Sequence, residues 1–276
     1  MKCGYVAVLG LPNAGKSSLT NFFVGEEVAI VSHRRQTTRN SILGILNGED
    51  YQIIFVDTPG IHHSKNQLDK FMMKNVRGAI AEADVVLYLF DSSKEIESEE
   101  LEYIENLKTK TENLILIGTK ADKKCVKQKI SPNFIISIKN GENTKELLDK
   151  IVSLLPEREA LFDEDLYTDK SVKFLVGEKI REFLLENIDK EIPHGIAVDI
   201  VLFFEEEDRV LIEADIICER EQHKGIVVGK GGQNLKELGI FVRKYVENLL
   251  EKKCVLKLFV KVDKDWREKN ISQYGY

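Results

Sequence analysis

No apolar run in this chain approaches the ~18 residues that a helix needs to cross a bilayer, so no membrane-spanning helix is expected. Cysteine is scarce and scattered. Cys3, Cys125, Cys218 and Cys254 form no C-x-x-C pair, which argues against a disulfide framework or a zinc site and for reduced thiols in the cytosol. Low-complexity stretches and internal repeats are lacking too. With 43% hydrophobic and 31% charged residues, the composition is that of a folded globular protein. Val6-Ala7-Val8-Leu9 opens a strand almost at once, leaving no expected room for a signal peptide. The length, 276 residues, suits two ordinary domains.

Positive charge is in deficit overall, with a formal net charge of −6, but the deficit is local. Residues 1–156 carry 20 basic and 20 acidic side chains, residues 157–221 carry 8 against 20, and residues 222–276 carry 12 against 6. A basic tail fits contact with a polyanion, because Lys and Arg release counterions from phosphates; the alternative is a merely solvated charged surface.

Up to about residue 155, short apolar runs alternate with helical patterns. Strands are predicted at 5–9, 42–46, 51–56, 84–90, 113–118 and 134–137, and helices at 16–24, 66–81, 97–107 and 143–154. This alternation predicts an α/β domain, a mainly parallel sheet with helices on both faces, over 1–156. Pro156 ends it, and an acidic connector over 157–170 follows. Residues 171–276 predict an α+β domain: a helix at 171–188, strands at 196–204 and 209–217, a glycine loop, a helix and a strand whose outward positions include Lys257 and Lys261.

Two glycine loops carry the chemistry. Gly10-Leu11-Pro12-Asn13-Ala14-Gly15-Lys16-Ser17, followed by Ser18, has the form G-x-x-x-x-G-K-[ST] between a strand and a helix. Such a loop turns backbone N–H groups and a positive helix end toward nucleotide phosphates, with Lys16 reaching the β and γ oxygens and Ser17 ligating Mg²⁺. Asp57-Thr58-Pro59-Gly60 ends another strand, where Asp57 can hold Mg²⁺ through water and the Gly60 backbone can approach the γ-phosphate. Gln36-Thr37-Thr38-Arg39 offers hydroxyls to the same cation. Thr119-Lys120-Ala121-Asp122 follows a buried strand; a carboxylate there accepts both N1–H and N2–H of guanine and so selects GTP over ATP. Ser137-Ile138-Lys139 would offer a backbone N–H to guanine O6. The second loop, Gly229-Lys230-Gly231-Gly232, follows Ile226-Val227-Val228, precedes an amphipathic helix and is flanked by Lys224 and Lys236. A G-x-x-G loop in that setting suits a KH domain, which clamps about four nucleotides of RNA.

The first set of motifs resembles the translation-factor-related GTPases. Gln36-Thr37-Thr38-Arg39 and the second domain resemble the Era subfamily, in the TrmE-Era-EngA group, with a C-terminal type II KH domain. The resembling features of the second domain include Phe174-Leu175-Val176, Glu191-Ile192-Pro193-His194, the 225–232 loop region and Trp266-Arg267. The resemblance implies hydrolysis of GTP to GDP, with Lys16, Asn13, Thr38 and Gly60 nearest the chemistry and Ser17, Thr38 and Asp57 on Mg²⁺, Thr37 being the alternative to Thr38. It implies a monomer that binds the 3′ end of small-subunit (16S) ribosomal RNA and assists 30S maturation in the cytoplasm. An RNA chaperone with incidental hydrolysis and a GTPase at the cytoplasmic face of the membrane are the other readings. Ile61 stands where Ras-like proteins orient the attacking water with glutamine. The resemblance instead implies K⁺ acting through Asn13. Thr119 stands where the family usually has asparagine, which puts nucleotide affinity in question. His62-His63 is read as a solvated loop pair, and Trp266 as either a base-stacking or a packing residue.

Overall fold

The computed structural model of the protein describes every residue except His33, Arg35, Gln36, His63, Ser64, Asp189, Lys190, Glu191, Lys269, Asn270, Gly275 and Tyr276, and the side chains of Ser272 and Gln273. Gln36, His63 and Glu191, singled out in the sequence, thus lie outside the described residues. The chain divides into two units, Met1–Ser64 with Phe71–Asp169, and Lys65–Lys70 with Lys170–Tyr276.

The first part of the chain runs β1 (Lys2–Gly10), α1 (Lys16–Val24), β2 (Ile42–Asn47), β3 (Tyr51–Asp57), α2 (Gln67–Glu82), β4 (Val85–Asp91), α3 (Ser98–Lys110), β5 (Leu114–Thr119), β6 (Phe134–Ile135) and α4 (Thr144–Leu154). Six strands form one sheet in the order β2-β3-β1-β4-β5-β6, parallel except for the β2–β3 pair. Successive residues of a strand point to opposite faces. Val6, Val8, Leu87 and Leu89 accordingly pack with Leu19, Leu147 and Ile151, while Ala7, Leu9, Val86 and Tyr88 pack with Val76, Ile104 and Leu107. Two covered faces are the reason these strands read as unbroken apolar runs. Strand β1 starts earlier than predicted, because Lys2, Cys3 and Gly4 pair with Tyr51, Gln52 and Ile53. Strand β6 stops at Ile135, since Ser137 turns away to bridge Glu142.

The acidic stretch after Pro156 is tied along the β2–β3 side of this sheet. Ile45 N–H donates to Tyr167 O at 2.9 Å, Leu43 N–H donates to Asp169 Oδ1 at 3.0 Å, and Gly44 bridges Thr168. The wholly buried Gln52 is the fastening point. Its Oε1 accepts from Leu161 N at 2.7 Å and Phe162 N at 3.0 Å, and its Nε2 donates to Phe162 O at 2.8 Å.

The second part comprises α5 (Val172–Asn187), β7 (Ile196–Glu205), β8 (Arg209–Cys218), α6 (Glu221–Val228), α7 (Gln233–Leu250) and β9 (Lys253–Val262), with short 3-10 turns at Ile192–Gly195, Lys230–Gly232, Trp266–Glu268 and Ile271–Tyr274. Central β8 pairs antiparallel with β7 and parallel with β9, the mixed arrangement of a type II KH domain. Ile180 and Leu184 of α5 and Leu238, Val242 and Val246 of α7 pack on the even-numbered residues Val210, Ile212, Ala214 and Ile216 of β8. Ser171 caps α5, its side chain accepting from Phe174 N. Helix α6 is absent from the sequence reading. It buries only Val227, so it shows no helical stripe, and its Gly225 and β-branched end lower the helical signal.

Replacing Gln52 by Leu would leave two connector N–H groups without their acceptor, at about 1–3 kcal/mol for an unsatisfied buried group. Gln52→Leu is expected to lower the thermal midpoint and to open residues 157–169 to limited proteolysis while leaving far-ultraviolet dichroism unchanged. Wild-type resistance to cleavage in that stretch would refute the fastening.

Candidate functional site

Strand order reverses beside β1, and the predicted nucleotide residues collect at the carboxyl ends of the strands, where open parallel sheets bind ligands. The register sets Val8 beside Asp57, Gly10 beside Leu89 and Asp91 beside Thr119. An open cleft of about 280 Å³ lies there, lined among others by Asn13, Gly15, Lys16, Ser17, Thr38 and Gly60.

Three oxygens from distant sequence positions converge in it. Ser17 Oγ donates to Asp57 Oδ2 at 2.7 Å and stands 2.9 Å from Thr38 Oγ1, which itself lies 3.3 Å from the same carboxylate oxygen. Thr37 turns elsewhere, its hydroxyl donating to Arg34 O at 2.9 Å. Asp57 is fully buried, and its Oδ1 has no hydrogen-bond partner among the described residues. Burial pushes its carboxyl up to about 6, against the hydrogen bond from Ser17 and the charge of Lys16. Burial likewise pushes the Lys16 ammonium down to about 8, with Asp57 opposing. Lys16 Nζ donates to Gly10 O at 3.1 Å and Leu11 O at 3.0 Å, two carbonyls of the loop it serves.

The other motifs frame this centre. Thr58 Oγ1 donates to Val8 O at 2.7 Å, and Ile61 N–H donates to Gly10 O at 3.2 Å. A Cβ on Gly60 would stand 2.8 Å from Pro12 Cγ, so glycine alone lets this segment lie on the phosphate loop. His62 sits with Nδ1 2.7 Å from Gly60 O, and no cluster of His, Cys, Asp and Glu fit for a metal occurs among the described residues. Thr119 Oγ1 lies 2.8 Å from Ala14 O and 3.1 Å from Phe90 O, so its hydroxyl reaches the phosphate loop without an amide. Lys120 Nζ donates to Asn13 O at 2.9 Å. Ala121 N–H donates to Ile136 O, and Asp122 Oδ1 accepts from Ser137 Oγ at 3.0 Å, bringing the two predicted guanine segments together. Ser137 N–H, one of the backbone donors that Ser137-Ile138-Lys139 offered to guanine O6, is spent on Glu142 O at 3.2 Å. The sequence reading missed Asp91, Lys94 and Lys123, which also line the cleft. Asp91 carried the same signal as Asp57, a carboxylate ending a buried strand.

In the second unit, loop 229–232 joins α6 to α7. Gly229 adopts φ 77°, and a Cβ there would meet Asn234 Cγ at 2.7 Å. Asn234 Nδ2 donates back to Ile226 O at 2.8 Å, which fixes the loop on the end of α6. Lys230 and Lys236 are exposed, Lys224 half-buried, and apolar Ile226 is 44% exposed beside them. Trp266 is fully buried, donating from Nε1 to Gly195 O at 3.0 Å against the edge of Tyr274, so it packs the domain and presents no face to a base.

Residues 5–120 match the family described as 50S ribosome-binding GTPase, and residues 191–267 match the KH domain. A phosphate-loop GTPase joined to a KH domain is the class that the fold and the two loops define. The chain is 39% identical to GTPase Era of Clostridium perfringens over all of its length and 98% of that protein, and 43% identical to GTPase Era of Caldicellulosiruptor saccharolyticus over 97% and 94%. Crystal structures of an Aquifex aeolicus Era variant bound to GDP and AlF4⁻, and of Era with MgGDPNP and nucleotides 1506–1542 of 16S ribosomal RNA, each superpose with a TM-score of 0.93 at 35% identity, covering 100% of this chain and 99% of theirs. The chain belongs to the Era family of GTPases.

Both Lys16 and Asp57 are charged between about pH 6 and about pH 8. Below that window Asp57 gains a proton; above it Lys16 loses one. Association of Mg·GDP with nucleotide-free protein, followed by stopped-flow fluorescence, is expected to peak inside the window and fall by up to about tenfold per pH unit beyond it. A flat profile from pH 5 to 9.5 would count against the pair.

Proposed function

We propose that this GTPase uses GTP hydrolysis to time its binding to the 3′ region of small-subunit (16S) ribosomal RNA, through loop 229–232, and so assists maturation of the 30S subunit in the cytoplasm. The observation that carries the reading is the presence in one chain of the Ser17–Thr38–Asp57 constellation and a positive-φ G-x-x-G loop between helices. The Era structure holding 16S ribosomal RNA nucleotides supports the choice of RNA.

Catalysis is electrostatic in this reading, because Ile61, standing where Ras-like proteins orient water with glutamine, carries no polar group. Lys16 leaves its loop carbonyls for the phosphates, a change that exchanges neutral acceptors for charged ones. Ser17, Thr38 and Asp57 would hold Mg²⁺; the buried, unpartnered Asp57 Oδ1 supplies an oxygen acceptor in excess of donors, as a hard cation requires. Bound there, the ion neutralises charge on the phosphate oxygens. Gly60 brings backbone against the loop, and Asp122, steadied by Ser137 Oγ, reads the guanine edge with Thr119, Lys120, Ala121 and Ile138 around it.

Asn13 lines the cleft at φ 67° and carries a side-chain oxygen suited to K⁺. Single-turnover hydrolysis is expected to run faster in KCl than in NaCl, and an Asn13→Ala chain is expected to lose the difference. Equal rates in the two salts for the unaltered chain would remove K⁺ from the scheme. Peripheral membrane contact and a monomeric state remain expectations of the family resemblance; no helix among the described residues is long and apolar enough to cross a membrane.

The RNA reading is tested with Gly232→Asp. Nothing lies within 4 Å of a Cβ at Gly232, and at φ 80° aspartate is among the better tolerated residues, so the variant adds charge without a clash. Binding of a 16S 3′-end oligonucleotide is expected to weaken by about tenfold or more while GTP turnover without RNA is unchanged. Undiminished RNA binding would refute the site.

A further inference from the structure

The phosphate loop is held from below by one dipeptide. Thr119 reaches Ala14 O, and Lys120 reaches the adjacent Asn13 O. The two holds are unequal. Thr119 has one hydroxyl proton facing two acceptors, Ala14 O at 2.8 Å and Phe90 O at 3.1 Å, so the loop receives that proton only part of the time. Lys120 has protons to spare, but its four-carbon stem is flexible, and ordering it to meet a neutral carbonyl costs up to about 2 kcal/mol of rotamer freedom.

Asp91 removes that freedom. Its Oδ2 accepts from Lys120 Nζ at 2.7 Å, while its Oδ1 accepts from Ser93 N at 3.0 Å and Ser93 Oγ at 2.6 Å. Every contact of the carboxylate thus serves to fix the ammonium, and the pair is sheltered, with 29% and 13% of the two side chains exposed. Burial alone would raise the Asp91 carboxyl, but the hydrogen bonds from Lys120 and Ser93 outweigh it and lower it, so the carboxylate is charged at neutral pH. The loop needs such support at this point. Asn13 sits at φ 67° and Lys120 at φ 62°, a region that L side chains occupy at a cost.

We propose that Asp91 is a positioning residue for nucleotide binding, acting through Lys120 on Asn13 O and making up for the divided hold of Thr119 on Ala14 O. The clamp acts on the ground-state shape of the loop, so its loss raises the dissociation constant for GDP and the KM for GTP and leaves kcat nearly unchanged. The proposal rests on the nucleotide reading of the cleft and is independent of the RNA reading. GDP binding by the unaltered full-length chain tests the cleft; the variants test the clamp.

The experiment is a double-mutant cycle on the full chain with Asp91→Asn and Thr119→Asn, reading GDP affinity, steady-state GTP kinetics and thermal midpoint. Asparagine at 119 offers two amide protons to the two carbonyls in place of one. In the Thr119 background, Asp91→Asn is expected to raise KM and the GDP dissociation constant about tenfold or more, with kcat within about twofold. In the Thr119→Asn background the same change is expected to cost about threefold or less, a coupling that a general loss of stability would not produce. Ser93→Ala, which frees only Oδ1, is expected to give a smaller rise in KM of the same kind, about two- to fivefold, and it carries the test if Asp91→Asn fails to fold. An unchanged KM in Asp91→Asn, an equal loss in both backgrounds, a fall in kcat at constant KM, or, where Ser93→Ala carries the test, a Ser93→Ala chain indistinguishable from wild type would each overturn the proposal.

Discussion

The first unit is built around one buried charge. Asp57 ends β3 with no exposure and with one carboxylate oxygen lacking a hydrogen-bond partner among the described residues, an arrangement that is costly for a domain that only has to fold. Its carboxyl is pushed up to about 6 for that reason. The sheet makes the position possible: Asp57 lies beside Val8 in register, two residues before the phosphate loop begins at Gly10. From there Oδ2 gathers Ser17 from α1 and Thr38 from the segment before β2. Three stretches that are far apart in sequence meet because one carboxylate accepts from two of them.

Much of this was legible in the sequence because its signals are local. The phosphate loop, Asp57-Thr58-Pro59-Gly60 and the Thr119–Asp122 motif are each consecutive residues at a strand end, and unbroken apolar runs, buried on both faces, made those strands visible. What needed coordinates was choice among neighbours. Thr37 and Thr38 are equivalent in sequence, yet one hydroxyl goes to Arg34 O and the other to Asp57. Among the backbone donors of Ser137-Ile138-Lys139, Ser137 N–H is the one taken by Glu142 O. Asp91 was passed over because its partner, Lys120, is 29 residues away and its effect on the loop is indirect. At Thr119 the coordinates show a hydroxyl that spans to Ala14 O with a single proton.

Reading the second unit depended on context more than on motif. Helix α6 has too few buried positions to announce itself, so the sequence showed a glycine loop with no element assigned before it. The helix changes the physical picture of the loop. Its last carbonyls face the N-terminus of α7, Asn234 bonds Ile226 O, and only glycine fits at 229 against that side chain. The loop is therefore held on the end of α6 while Lys230 and Lys236 stay exposed, which under the RNA reading proposed above would lower the ordering cost of receiving a phosphate backbone.

The acidic connector is held to the first unit along its length. Gln52 fastens residues 161 and 162, Ile45 takes Tyr167, and Leu43 and Gly44 take Asp169 and Thr168. Acidic side chains disguise this because, apart from the Asp169 carboxylate, these attachments use the connector's main-chain groups, to which side-chain charge gives no clue. The consequence concerns β2. Thr38, beside Asp57, lies four residues before the start of that strand, and the strand carries the last residues of the first unit on its free edge. Strand β2 is thus hydrogen-bonded on both edges, to β3 on one side and to residues 167–169 on the other, while residues 39–41 between Thr38 and the strand are irregular.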